Sequence, residues 1–377
     1  MRNITAIPTE IWDPIVTAAC SDGAYTGRSL ALTNKFFHSQ SLSNRLSCIR
    51  LTSLTRIEAF LSFLDAQPSE CKPRIYHLFL SFHSEAMDTD EASTQWIERF
   101  VRSMTTLFSI AAPTLCTLCV TAGSLSRVGP LPVFPYGPLP VLEELSVHHA
   151  LDLFLPASYA PHGIWNSDFS SPLPALRRIH VVNNHPEIRG ADVFARLNHY
   201  GLPNLTHVRV SALGGFARDF LGSLGRALGI PHVPYWRRRL AARSPLATAS
   251  HPLDSQSAPL LPNVNHVIVH GSLPLYLGPC GAGDFDWLDF CNEVEQTARL
   301  AKESRNVIVL PLTRPRRRNW RWPARLFHGW VSRIEGGMGF WVESEDEEAK
   351  LEVYEDDPAP SPREMVALPL PDEDDDL

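Results

Sequence analysis

One short pattern constrains this 377-residue chain more than anything else in it: Pro followed by apolar residues at the second, fifth and seventh positions after it. It occurs six times. Pro73 leads Ile75, Leu78 and Leu80; Pro113 leads Leu115, Leu118 and Val120; Pro140 leads Leu142, Leu145 and Val147. Pro174 leads Leu176, Ile179 and Val181; Pro203 leads Leu205, Val208 and Val210; Pro262 leads Val264, Val267 and Val269. Self-similarity of this kind marks one structural unit used repeatedly, so it is read before any single segment.

The last two apolar positions of each copy lie two residues apart and therefore share one face of a strand. The first lies three residues earlier, where the chain bends in after Pro. Successive copies are 27 to 59 residues apart, enough for a strand, a helix and loops. That is what crossovers between parallel strands require. Apolar periodicity places helices between the copies, at 54–64, 91–111, 191–200, 216–228 and 285–302, and a seventh strand at Asn306–Leu310. The stretches 123–140 and 152–172 read as loops, and 231–260 as a mobile insertion. The L-x-x-L-x-L spacing resembles the strand of a leucine-rich repeat, at irregular period. Residues 52–342 are therefore expected to form an irregular leucine-rich-repeat-like α/β solenoid with a parallel sheet, and Trp330 to Trp341 to close its end.

Ahead of the repeat, residues 1–51 read as a compact helical unit. Ile7, Ile11 and Ile15 recur at helical spacing beside Trp12 and Val16. Pro8 suits a first helical turn, and Pro14 interrupts the pattern. Arg28–His38 predicts a second helix, Leu42 and Leu46 a third, and Cys48–Leu51 a strand. Ile7-Pro8-Thr9-Glu10-Ile11, with Ile15 behind it, then Leu30-Ala31-Leu32-Thr33-Asn34-Lys35-Phe36-Phe37, resembles the F-box, in which Leu stands where this chain has Ile7 and Ile11. The resemblance implies a three-helix unit that docks onto the Skp-type adaptor of an SCF-type ubiquitin ligase, and through it a cullin. It assigns adaptor binding to Ile7, Pro8, Ile11, Leu30, Leu32 and Phe36, and recognition of a target protein to the repeats. The alternative is a helical cap sealing the first repeat, since solenoids need capped ends.

If the apolar pairs are buried, the residues between them point the other way. These are His77, Thr117, Glu144, Arg178, His207 and His266, then Phe79, Cys119, Ser146, His180, Arg209 and Ile268. On a curved sheet this is the open face on which solenoids bind partners. Arg178, His180, His207, Arg209 and His266 are the candidate target-binding residues, suited to an acidic or phosphorylated ligand. A covered or merely solvated face is the alternative.

Charge divides the chain. Residues 343–377 hold fifteen acidic and two basic residues, a local −13, so the first 342 carry +6 of the whole-chain −7. The tail has too little apolar surface to fold by itself. Arg314, Arg316, Arg317, Arg318 and Arg321 interleave with Trp320 and Trp322, and Arg237–Arg239 form a second cluster. Arg with aromatics suits single-stranded nucleic acid, but a fold-back of the acidic tail or plain solvation is the preferred reading. Seven scattered Cys fit a reducing compartment, cytoplasmic or nuclear. Met1-Arg2-Asn3-Ile4-Thr5 does not read as the apolar core of a signal peptide, and no apolar run approaches membrane length. The lone Cys116-x-x-Cys119 lies on a predicted strand, so a metal role is not assigned. G-x-S-x-G, H-E-x-x-H and P-loop patterns are missing. Gly214-Gly215, between a strand and a helix, reads as a turn. A non-enzymatic interaction protein without cofactor is expected.

Overall fold

The computed structural model describes residues 8–19, 25–38, 41, 46–67, 74–82, 90–122, 138–155, 171–182, 190–213, 218–230, 259–272, 292, 299, 306–313 and 322–342. Expectations for Ile7, the 231–260 insertion (259 and 260 apart), Gly214-Gly215, Arg314–Arg321 and the acidic tail lie outside these residues. So does the predicted 285–302 helix, of which only residues 292 and 299 are described, both helical.

The six Pro-led segments lie side by side in one sheet. Its strands are β1 (Cys48–Leu51), β2 (His77–Phe82), β3 (Thr117–Ala122), β4 (Glu144–His148), β5 (Arg178–Val182), β6 (His207–Leu213), β7 (His266–Ser272) and β8 (Asn306–Thr313). All eight are parallel and follow chain order across the sheet. The register matches repeat position to repeat position: Leu78, Leu118, Leu145, Ile179, Val208 and Val267 form one row. Leu80, Val120, Val147, Val181, Val210 and Val269 form the next. A one-residue slip would turn every apolar side chain to the wrong face, so the pattern enforces this register.

Backbone hydrogen bonds repeat with the sequence. The carbonyls of Ser47, Tyr76, Cys116, Glu143, Arg177 and Thr206 each accept two consecutive N–H groups from the next rung. In the Leu-Pro copies, the carbonyls of Leu139, Leu173, Leu202 and Leu261 accept from the N–H three residues on, a turn that bends the chain into the strand. Asn204 and Asn263 tie rungs together by donating to the carbonyls of Pro174 and Pro203, at 2.8 and 2.6 Å.

Helices follow the strands. Besides α1 (Thr9–Ala19) and α2 (Tyr25–Ala31) they are α3 (Leu54–Asp65), α4 (Asp90–Ala111), α5 (Leu151–Phe154), α6 (Gly190–His199), α7 (Arg218–Leu228) and α8 (Trp322–Ile334). Ser53 caps α3 by accepting the Arg56 N–H. Ile57 and Phe60 of α3, Phe100, Met104 and Phe108 of α4, Phe194 and Leu197 of α6, and Phe220 and Leu224 of α7 join the Leu and Val rows in one buried core. Full burial of such side chains contributes ~1.5–3 kcal/mol each. The turn α5, with Leu153, Phe154 and Leu155 buried in that core, replaces the start of an expected loop: its apolar run was too short to show a period.

Two further expectations are corrected. The helix predicted over 28–38 is broken. α2 ends at Ala31, and residues 35–38 are helical again; of the expected third helix, Leu42 lies outside the described residues and Leu46 is in a turn. The Asn34 side chain accepts the Phe37 N–H, and the Thr33 hydroxyl bonds back to the Leu30 carbonyl. These short polar side chains offer the backbone a cap in place of a continuous helix. Second, the segment around Trp330 does not close the end of the sheet. α8 lies across its other face, with Leu326, Trp330, Ile334 and Phe340 packed on Cys48, Phe79, Cys119, Val182 and Ala212.

Candidate functional site

The face under α8 is polar. Its first row is His77, Thr117, Glu144, Arg178, His207 and His266, and its second Phe79, Cys119, Ser146, His180, Arg209 and Ile268. A third row, Ser81, Thr121, His148, Val182, Ser211 and His270, extends the alternation two residues further along the same strands. The expectation that this face is open is therefore corrected. His180 and Arg209 are 0% and 1% exposed, His266 is buried, and Arg178 and His207 are half-buried. The physical reason is a cover the repeat does not encode: α8 and the return segment 338–342.

That cover is anchored by specific hydrogen bonds. The Glu144 carboxylate accepts the Trp341 indole N–H at 2.9 Å and the Arg333 Nε–H at 2.9 Å, and pairs with Arg178 at 3.6 Å. Arg209 donates to the Ser211 hydroxyl at 3.1 Å and to the Phe340 carbonyl. His180 shares a hydrogen bond with Ser211 at 3.0 Å and lies against the Phe340 ring. His207 lies between His266 and Trp341, tilted on the first and edge-on to the second, ring centres 4.9 and 5.6 Å away. Two glycines allow the return: Gly329 lacks the Cβ that would meet the Phe340 ring, and Gly339 takes φ +59°. At the β1 end the cover is apolar. Phe327 and Trp330 pack on Phe79, and the Arg50 guanidinium lies 3.7 Å from the centre of the Phe327 ring.

Burial sets the electrostatics of this face. His180 is held well below the usual histidine range by burial first, then by Arg209, Arg325, His270 and His148. His270 is lowered well below that range by burial, Arg325 and Arg209. His207 is pushed down to about 4 by burial, His266 and Arg178, and His77 to about 4 by burial and Arg333. Burial lowers the Arg209 guanidinium to about 9 and raises the Cys119 thiol well above its usual value. A neutral-histidine, two-arginine surface of this kind is suited to ordered hydrogen bonding. Among the described residues no group of three or more His, Cys, Asp or Glu is placed to hold a metal ion.

The N-terminal residues form a different kind of surface. Ile11 and Ile15 of α1 are 52% and 47% exposed, and Leu32 is 89% exposed. Pro8 is exposed, while Leu30 and Phe36 are half-buried. Phe36 has a structural duty: with Trp12 and Phe37 it makes an edge-on aromatic cluster joining α1 to the helical residues 35–38. Val16 of α1 is buried. Pro14 lies inside α1, which runs through it.

The sequence reading missed Arg325, Arg333, Phe340 and Trp341 as partners of the polar rows. The signal was faint: an amphipathic Trp-rich segment after the last strand. Arg325, at the end of the Arg/Trp cluster, is buried and stacks on Trp322 at 5.1 Å. It is thus withdrawn from any nucleic-acid surface. A small cavity of about 210 Å³ lies between the end of α6 and the turns ahead of β6 and β7, lined by Leu197, Leu202, Leu205, Leu261 and Val264. It is below the usual ~300–1,000 Å³ of ligand sites. Among the described residues no helix is long and apolar enough to cross a membrane. No family model matches the sequence, and no curated protein or solved structure is significantly similar to it.

Proposed function

We propose that the chain is the substrate-recognition subunit of an SCF-type ubiquitin ligase. The helical unit docks the Skp-type adaptor, and the leucine-rich-repeat-like, solenoid-forming region holds a target protein. The observation that carries the reading is the exposure of Ile11, Ile15 and Leu32, apolar side chains at F-box-like positions directly ahead of the repeat. The chain does no chemistry; it raises the local concentration of target beside the transfer machinery.

The test is capture of the full chain by purified Skp-type adaptor. Wild type is retained, and Ile11→Asp and Leu32→Asp are each reduced at least tenfold. Failure of the wild-type chain to bind removes the ligase reading. The covered polar face favours what would then remain, a leucine-rich-repeat-like scaffold unconnected with ubiquitin.

A further inference from the structure

The polar face of the sheet is buried in a way that a permanent core is not. A core is apolar or has its polar groups satisfied. Here the Thr121 hydroxyl, His180 Nδ1 and Trp330 Nε1 are buried with no hydrogen-bond partner among the described residues. Closure strands them, and exposure to water would satisfy them. At the β1 end the cover rests on an apolar cluster; over the polar rows it is held by a small set of directional contacts, Arg333 and Trp341 on Glu144 and the Phe340 carbonyl on Arg209. The cover is also one contiguous segment after β8, so it can lift without unthreading a strand.

We propose that α8 and the return segment to Val342 are an exchangeable internal ligand, occupying the surface that binds a target segment of the same chemistry. That chemistry is readable from the contacts. Glu144 takes a guanidinium and an indole N–H, Arg209 takes a backbone carbonyl, and His180 and His207 receive aromatic rings. The partner is a protein segment with an Arg followed, across a Gly-containing turn, by an aromatic pair, as Arg333 is by Phe340-Trp341. This rests on the reading of the face as the target surface, and not on adaptor docking.

Cys119 provides the probe. Its thiol is free, 0% exposed and in the cluster beneath α8. In the wild-type full chain without denaturant, iodoacetamide should alkylate Cys119 at least tenfold faster than the chain unfolds globally, the latter read from the slowest-exchanging amides of β3 to β5. Arg333→Ala destabilises only the closed state, so it should raise the Cys119 rate and the exchange of those amides by the same factor, about tenfold. Reaction of Cys119 only at the global unfolding rate overturns the proposal. A fluorescent peptide of residues 322–342 should also bind full-length Trp341→Ala at least tenfold more tightly than wild type. No gain in a variant whose Cys119 has become reactive overturns it too, and if Trp341→Ala does not fold, the wild-type Cys119 rate decides. Adaptor capture by a chain whose Cys119 stays shut would sink this inference alone and leave the ligase reading standing.

Discussion

On one face of the sheet, β2 to β7 present Leu78, Leu118, Leu145, Ile179, Val208 and Val267 to helices that lie between those strands in sequence. On the other, the same strands present Glu144, His180, His207 and Arg209 to a helix and turn from far along the chain: Glu144 meets Arg333 across 189 residues, and Arg209 meets Phe340 across 131. The first face is held by area, without direction, and each rung seals itself with its neighbours. The second is held by an apolar cluster at its β1 end and, over the polar rows, by aimed hydrogen bonds on a surface that retains polar atoms. Both faces are buried, yet only the first behaves as a core in the ordinary sense. Stability and recognition can therefore be divided between two sides of one sheet.

The apolar face should be the more expensive to damage. Leu118 sits mid-sheet, 1% exposed, inside the main cluster. Leu118→Ala removes buried methyl groups and leaves a cavity that rigid neighbouring rungs cannot fill, at a cost of about 2–5 kcal/mol. Urea denaturation measures it. A loss below 1 kcal/mol would mean the rungs relax independently, and the contrast between the faces would vanish.

Next comes Glu144. Removing its carboxylate leaves the Trp341 N–H and two guanidinium groups without their acceptor. Both arginines are about one-third exposed, so water compensates part of the loss. Glu144→Ala should cost about 1–3 kcal/mol. Glu144→Gln keeps an acceptor for the indole and should cost less. The order of the three variants in urea midpoint, Leu118→Ala lowest, is the expected result; Glu144→Ala falling below Leu118→Ala would reverse the assignment of core and cover.

Legibility followed the same division. The rows ending in Val147, Val181 and Val210 were readable because spacing of two and a leading Pro are local facts. Parallel pairing followed, because crossover lengths and helical periodicity sit between the copies. The cover was not readable. Nothing local to Arg209 indicates that its guanidinium meets the Phe340 carbonyl, and His180 reads equally well as a solvated strand residue. Arg178, His180, His207, Arg209 and His266 were correctly placed together on one face, but their exposure depended on a segment outside the repeat. In the N-terminal unit, apolar spacing located α1, while the break after Ala31 and the Asn34 cap on the helical residues that follow compete with helical spacing and were hidden by it.

Acid should act on the polar face selectively. His77 and His207 are both lowered to about 4, and His180 and His270 well below their usual range, so all four stay neutral in the folded protein. In the unfolded chain a histidine takes up its proton near pH 6.5. Above that value neither state is charged and stability is unaffected; as pH falls from 6.5 towards 4, the unfolded state binds protons that the folded state refuses, and stability drops. The groups facing these rings are Arg333 at His77, Arg178 and His266 at His207, and Arg209 and Arg325 at His180 and His270. All can carry positive charge, which opposes protonation further. The urea midpoint should fall between pH 7.5 and 5, and His180→Gln should flatten that fall. Equal slopes in wild type and variant would place the acid-sensitive element elsewhere.

The smallest effect on stability belongs to the N-terminal surface. Leu32 is 89% exposed and follows the end of α2, so folding buries little of it. Leu32→Asp should change stability by no more than about 0.5 kcal/mol, as surface substitutions usually do. Phe36→Ala, in contrast, removes one ring from the Trp12–Phe37 cluster and should loosen the unit itself. The pair separates two meanings of lost adaptor binding. If Leu32→Asp loses capture at unchanged melting, the side chain is part of the docking surface. If only Phe36→Ala loses it, and does so with a fall in helical signal, capture depends on the unit being folded and the exposed leucine is not part of the contact.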